Sequence, residues 1–314
     1  MGQKKYSGID VSKEWLDVAF YEDNEKIRIK NESKEIQAFV KKLSTMGLKK
    51  IVLEATAGLE KEFAKEAIEL DLPVCIMNPR QVRDFAKATG KLAKTDCIDA
   101  KVLAHFGKAV NPKVTNLKSE NQEELSDLLR RREQLIGMRS AEKKRLKNCP
   151  SRMQESLKKH IDWLNSEIED IEHKMNQFVK QKEDLKKIDK QLQSVKGVGP
   201  ILSRVLIAEV PELGKLNRKQ IASLIGLAPF NCDSGRYKGR KRIWGGRANV
   251  RAVLYMAIVT AKRFNPIIRT FFERLEKQGK QYKVIATACM RKLLVILNAM
   301  VKQGTYWQEN IKTV

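Results

Sequence analysis

Apolar and polar positions follow one rhythm in the first third of the chain and another in the rest. Residues 6–11 are a short apolar run with Asp10 near its end. Residues 15–21 and 26–30 alternate with period two, and the polar stretch Glu22-Asp23-Asn24-Glu25 between them reads as a turn. Residues 34–46 carry Ile36, Phe39, Val40 and Leu43 at helical spacing and stop at Gly47. Residues 51–53 and 74–77 are buried-strand runs, with a helix over 59–70 between them, and Asn78-Pro79 opens another helix. A three-strand meander followed by alternating helices and strands predicts an α/β domain of ribonuclease-H-like order. No glycine fingerprint follows the first strand, so a doubly wound dinucleotide binder is not expected.

From about Asn121 the strand signals vanish. Residues 125–146 form one helical stretch, and Pro150 interrupts it. Beyond it Leu157, Ile161, Leu164, Ile168, Ile171, Met175, Phe178 and Leu185 step by threes and fours, with Lys182 in the one polar slot. This is a coiled-coil seam of about four heptads, read as a helical hairpin, an intermolecular coil or an amphipathic pair inside one domain. A third region opens near Leu192. There the hairpin-like Val195-Lys196-Gly197-Val198-Gly199-Pro200 precedes an apolar helix over 201–208, and helices follow over 250–262 and 282–301.

Charge changes this picture most. The 314 residues hold 62 basic against 38 acidic side chains, a formal charge of +24. Such an excess favours a polyanionic partner, because each neutralised phosphate releases counterions. A merely soluble, lysine-rich protein is the bland alternative, but the basic residues are clustered. Hydrophobic content of 42% excludes a disordered chain. Five scattered cysteines without a CxxC pair argue against a disulfide scaffold or a zinc site and for a reducing cytoplasm. No apolar run of membrane-span length and no signal peptide are expected.

Asp10 at the end of the first strand and Glu54 at the end of the fourth meet at one edge if the sheet has ribonuclease-H order. Asp96 and Asp99 lie three apart at the start of a helix and so share a face. Converging carboxylates repel unless cations sit between them, and hard divalent ions such as Mg²⁺ or Mn²⁺ take oxygen ligands. Singly, Asp99 also reads as a helix-start charge and Glu54 as a solvated strand end.

Lys196, Gly197 and Gly199 suit a helix-hairpin-helix turn whose backbone N–H groups approach a phosphate; a plain turn between helices reads the same way. Arg236, Lys238, Arg240, Lys241, Arg242, Arg247 and Arg251 form a basic stretch without an acid, interleaved with Tyr237, Trp244 and glycines expected to keep it mobile. Ser234, before Gly235, is ordinary turn chemistry by spacing alone.

These pieces together resemble the DEDD transposases of Piv-type insertion sequences. The resemblance rests on Gly8-Ile9-Asp10-Val11-Ser12-Lys13, Leu53-Glu54-Ala55-Thr56, Asn78-Pro79 and Lys94-Thr95-Asp96-Cys97-Ile98-Asp99-Ala100. Further on it rests on Gly197-Val198-Gly199, Gly226-Leu227-Ala228-Pro229 and Asp233-Ser234-Gly235, in order over nearly the whole chain. It implies a RuvC-like catalytic domain over 1–115, a helical coiled-coil region over 116–190 and a C-terminal transposase domain over 191–314. It implies Mg²⁺ held by Asp10, Glu54, Asp96 and Asp99, and Ser234 as the nucleophile on DNA. It also implies a structured noncoding guide RNA that pairs with target and donor DNA, a dimeric or tetrameric assembly, and a nucleoid-associated cytoplasmic location. The chain departs at Ala57-Gly58, where relatives often have glycine directly after the Glu-Ala-Thr triplet; only the turn is expected to change. Two rivals stand beside the recombinase: a metal-dependent junction nuclease with water as attacker, and a non-catalytic nucleic-acid binder.

Overall fold

The structure, a computed structural model, describes residues 6–91, 96–116, 118–235, 237–239 and 241–308; the side chains of residues 96, 97, 237 and 238 also lie outside the description. The expectations placed on Arg236 and Arg240, and on the side chains of Asp96 and Lys238, therefore fall outside it. The chain divides into two compact units, residues 1–117 and 118–314.

The first unit is a mixed α/β layer structure. Strands β1 (Tyr6–Val11), β2 (Trp15–Phe20) and β3 (Lys26–Lys30) form an antiparallel meander. Strands β4 (Lys50–Glu54) and β5 (Val74–Met77) join it in parallel, in the order β3-β2-β1-β4-β5. Helices α1 (Ser33–Ser44) and α2 (Lys61–Glu69) cover one face, where Phe39, Leu43 and Phe63 pack on Ile9, Ile51 and Leu53. Helices α3 (Pro79–Ala88) and α4 (Asp96–Val110) take the other face, where Val82, Leu103 and Phe106 pack on Val52 and Cys75. Asn78 starts α3 as expected: its side chain accepts from the Arg80 N–H at 2.9 Å, with Pro79 in the first turn.

Among its described residues the second unit is helical apart from one short hairpin. Helices α5 (Glu120–Asn148) and α6 (Ser151–Gln181) turn back on each other at Pro150. Arg132 with Glu172 and Arg139 with Asn165 pair across them, which makes an antiparallel hairpin within one chain. Leu164, Ile168, Met175 and Phe178 are buried as the seam requires. The seam does not run on unbroken: Lys182 is extended (φ −105°, ψ 106°) and a new helix, α7 (Glu183–Gln193), begins after it. No glycine or proline marks this break. It lets α7 turn into the core, where Gln191 donates to the Met300 and Thr305 carbonyls, both at 2.6 Å.

Helices α8 (Pro200–Glu209), α9 (Arg218–Ile225), α10 (Ala248–Phe264), α11 (Pro266–Lys277) and α12 (Tyr282–Gln303) complete the unit around one large core. Contrary to the sequence expectation, α12 is long and apolar enough to cross a membrane, but half of its most apolar stretch is buried here, as in the core helix of a globular protein. Its Ile285, Cys289, Leu293 and Leu297 line that core. Burial pushes the Cys289 thiol up to about 11, against the pull of Lys292 and Lys262, so it is a packing group rather than a nucleophile.

Candidate catalytic and nucleic-acid sites

Two carboxylates come together through strand register. β1 and β4 pair Gly8 with Val52 and Ile9 with Leu53, so one step further brings Asp10 abreast of Glu54. Strand parity decides the face. Ile9, Val11, Ile51 and Leu53 turn toward α1 and α2, which leaves Gly8, Asp10, Val52 and Glu54 on the face of α4. Helix α4 lies very close there: a Cβ on Gly8 would stand 2.1 Å from the Ala100 carbonyl oxygen and 2.3 Å from the Ala104 nitrogen. Asp99 directly precedes Ala100, and Asp10, Glu54 and Asp99 are all half-buried. Asp96 begins the same helix one turn earlier. Among the described residues no three Asp, Glu, His or Cys side chains form a metal-holding cluster. Asp10 and Glu54 thus share the sheet face that α4 covers, and Asp96 and Asp99 lie in the first turn of that helix.

Asp17, which the sequence reading passes over, faces Asp10 across the β1–β2 ladder. Its place between inward Leu16 and Val18 is the available signal. Arg28 holds both its oxygens, Nε and Nη2 each at 2.8 Å, so its charge is compensated within the sheet.

The turn after Glu54 is held by buried Glu60, whose Oε2 accepts from the Thr56 N–H at 2.9 Å and the Gly58 N–H at 3.0 Å. Ala57 is left-handed there, with φ 52°, and Gly58 follows with φ 104°. The departure at Ala57 thus keeps a turn that favours glycine, with strain from its Cβ. Ala57→Gly is expected to stabilise the first unit by about 1 kcal/mol. Thermal melting checks this, and a lowered midpoint would mean the turn is unstrained.

In the second unit Ser234 lies on a small hairpin, β6 (Asp233–Ser234) with β7 (Tyr237–Lys238), in which Ser234 pairs with Tyr237. Gly235 (φ 55°) follows it at the tip, and Ser234 is exposed. A further bridge between Phe230 and Arg242, with the Phe230 N–H donating to the Arg242 carbonyl at 2.8 Å, anchors the base. The expected mobile glycine loop is thus a paired hairpin, and Gly246 beyond it packs closely on Gly226, which precedes it. A Cβ on Gly246 would stand 2.4 Å from the Gly226 nitrogen, and one on Gly226 would stand 2.2 Å from the Gly245 oxygen.

The predicted nucleic-acid residues separate into two groups. Lys241 and Arg242 are exposed on the segment that follows the hairpin, where Arg242 bridges to Phe230. Arg247 and Arg251 serve the fold instead. Arg247 grips Glu212 with two bonds of 2.7 and 2.8 Å. Burial opposes ionisation of Glu212, but the hydrogen bonds and charge of Arg247 prevail and hold its carboxyl below the ordinary value. Arg251 donates to the Ile225 carbonyl at 2.9 Å and also to the Gly245 carbonyl. Gly197 has a packing reason of its own: at φ 95°, a Cβ there would meet Ala261 of α10 at 2.6 Å. Asn265 reinforces the contact by donating to the Lys196 carbonyl at 3.1 Å. Gly199 precedes α8 with nothing near its Cβ position, and Lys196 is exposed.

A nuclease-like α/β unit joined to a strongly basic helical unit is the make-up of a DNA strand-transfer enzyme. Residues 7–152 match the profile of the IS110-type DEDD transposases, described as "Transposase", and residues 189–273 match that described as "Transposase IS116/IS110/IS902 family". The chain belongs to this family of transposases and recombinases, which act on DNA. It is 30% identical to the pilin gene-inverting protein of Moraxella bovis over 98% of this chain and 99% of that protein. The pilin gene-inverting protein of Moraxella lacunata is equally similar. The transposase for insertion sequence element IS1111A of Coxiella burnetii is 21% identical over 74% of this chain and 70% of its own length.

Proposed function

We propose that this transposase is a site-specific, RNA-guided DNA recombinase that rejoins strands through a covalent serine intermediate. The observation that carries the reading is the register of β1 and β4, which sets Asp10 beside Glu54 on the face covered by α4, the helix that carries Asp99. The strand order β3-β2-β1-β4-β5 supports a RuvC-like catalytic domain over 1–115. The α5–α6 seam supports a coiled-coil region over 116–190, and the helices beyond it a transposase domain over 191–314 with a hairpin element at Lys196–Gly199.

The donor chemistry fits a divalent ion. Asp10, Glu54, Asp96 and Asp99 offer only carboxylate oxygens, which suit Mg²⁺ or Mn²⁺. Such an ion, when bound, would offset charge developing on a scissile phosphate. The protein's own residues carry the exchange. Ser234 Oγ attacks phosphorus and loses its proton; the P–O3′ bond breaks, the 3′ oxygen gains a proton, and the 5′ end stays on the serine. Attack of a different 3′-hydroxyl reverses these steps, so the bond energy is conserved and no water is consumed. Lys241 and Arg242, with Lys238, Arg236 and Arg240, would grip the backbone near the serine. Base pairing with a structured guide RNA would choose target and donor sites, in a dimeric or tetrameric assembly. The names of the Moraxella relatives, which invert a gene, support site-specific rejoining rather than simple cutting.

The test is strand transfer on supercoiled DNA. Divalent-dependent product is expected from the wild type, with a loss of about 10³-fold in Asp10→Asn and Glu54→Gln. Undiminished transfer in Asp10→Asn would remove the acidic site from the reaction.

A further inference from the structure

A groove of about 950 Å³ runs along the outer face of α12, beside the base of the serine hairpin. Its floor is apolar: Leu227, Pro229, Ile243, Val284, Val295 and Ile296 line it. Val284 is 54% exposed on a helix whose other half is core. The rim is basic, formed by Arg218, Lys241, Lys283, Arg291 and Lys292, and none of its described lining residues is acidic. Lys292 stands 4.7 Å from the centroid of the Phe271 ring. Among the described residues, no carboxylate lies within salt-bridge distance of Arg218, Lys241, Lys283 or Arg291.

Rim cations with no carboxylate beside them among the described residues ask for a polyanion, and an apolar floor asks for something that phosphates alone cannot fill. A duplex keeps its base faces stacked inside and offers phosphates, sugars and base edges only. A single strand offers phosphates and unstacked base faces together. The volume is in the range of sites that enclose an organic ligand. The groove also shares Pro229, Lys241 and Ile243 with the segments flanking the hairpin that carries Ser234. We propose that this groove binds unpaired nucleotides of a nucleic-acid strand, bases on the α12 floor and phosphates on the rim. The proposal rests on the nucleic-acid reading above. It adds that the strand near the serine hairpin is taken in an unpaired form.

Fluorescence anisotropy of the full chain tests it, with a fluorescein-labelled thymidine 20-mer against a blunt duplex of equal length at one salt concentration. Val284→Asp, at an exposed position, puts a carboxylate on the floor; Arg291→Gln removes a rim charge. Val284→Asp is expected to weaken single-strand binding by about tenfold or more and duplex binding by less than about twofold. Arg291→Gln should lower the salt slope for the single strand. A 2-aminopurine inside the strand should brighten on binding the wild type and not on binding Val284→Asp. An equal loss for both ligands, or no loss for the single strand, overturns the proposal. So does a change of oligomeric mass with single-strand affinity intact, which would make the groove a protein-docking face. Circular-dichroism melting verifies that Val284→Asp is folded; if it is not, Thr287→Asp in the same groove replaces it. Ser234→Ala should keep single-strand binding, so failure of the serine chemistry and failure of the groove are read separately.

Discussion

Ser234→Ala is expected to abolish the denaturation-resistant protein–DNA adduct and to reduce strand transfer by at least about 10⁴-fold. The hydroxyl is the only group at that position able to bond to phosphorus, and removing a nucleophile leaves only the residual effects of binding and charge. Folding should be untouched: Ser234 is exposed, and its pairing with Tyr237 uses backbone groups that alanine retains. Nucleic-acid affinity should stay within about twofold, since a neutral hydroxyl contributes little beside the cations of the same hairpin. Incubation with labelled DNA, denaturation and gel electrophoresis reads the adduct. If the adduct persists in Ser234→Ala, another residue is the nucleophile. If the wild type cuts without an adduct, water attacks, and the chain works as a junction nuclease.

Gly8→Val should be the most damaging single change in the first unit. The added Cβ would stand 2.1 Å from the Ala100 oxygen and 2.6 Å from the Leu103 Cβ, and the backbone of α4 leaves no flexible neighbour to give way. Helix α4 must lift off β1, with a loss of about 3 kcal/mol or more and a fall of roughly 10 °C in melting temperature. Asp99 rides on α4, so strand transfer should fall even where the protein remains folded. Gly137→Ala is the control. Gly137 sits inside α5 with nothing within 4 Å of its Cβ position, and alanine should raise stability by up to about 1 kcal/mol. A Gly8→Val protein that melts within about 1 °C of the wild type would refute the close approach.

Much of the first unit was legible because its signals are local. Alternation in β2 and β3, helical spacing in α1 and the Asn78-Pro79 start of α3 each depend on a few adjacent residues. Placing Asp10 and Glu54 at the ends of neighbouring strands needed only the order of elements. Helix α11 has no counterpart among the elements expected from periodicity, yet Asn265-Pro266 carries the same start signal: Asn265 accepts from the Ile268 N–H at 3.2 Å. Asp17 was equally readable, as a polar position between two buried ones.

Other features had no local signature. Lys182 breaks the α6–α7 seam because α7 gains partners in the core, not because of its own propensity. Arg247 and Arg251 look like their basic neighbours in composition, and only the positions of Glu212 and the Ile225 carbonyl turn them inward. Gly197, Gly226 and Gly246 read as loop glycines until the backbones they admit are known.

The division has one physical cause. Periodicity, capping and charge excess are properties of neighbouring residues, so the chain alone indicated most of the strands and helices and which of their faces are apolar, and favoured a polyanionic partner. Which cation stays exposed, which glycine is irreplaceable and where the apolar face of α12 remains uncovered depend on groups far apart in sequence. Those were decided only when packing brought the groups within a few ångströms of one another.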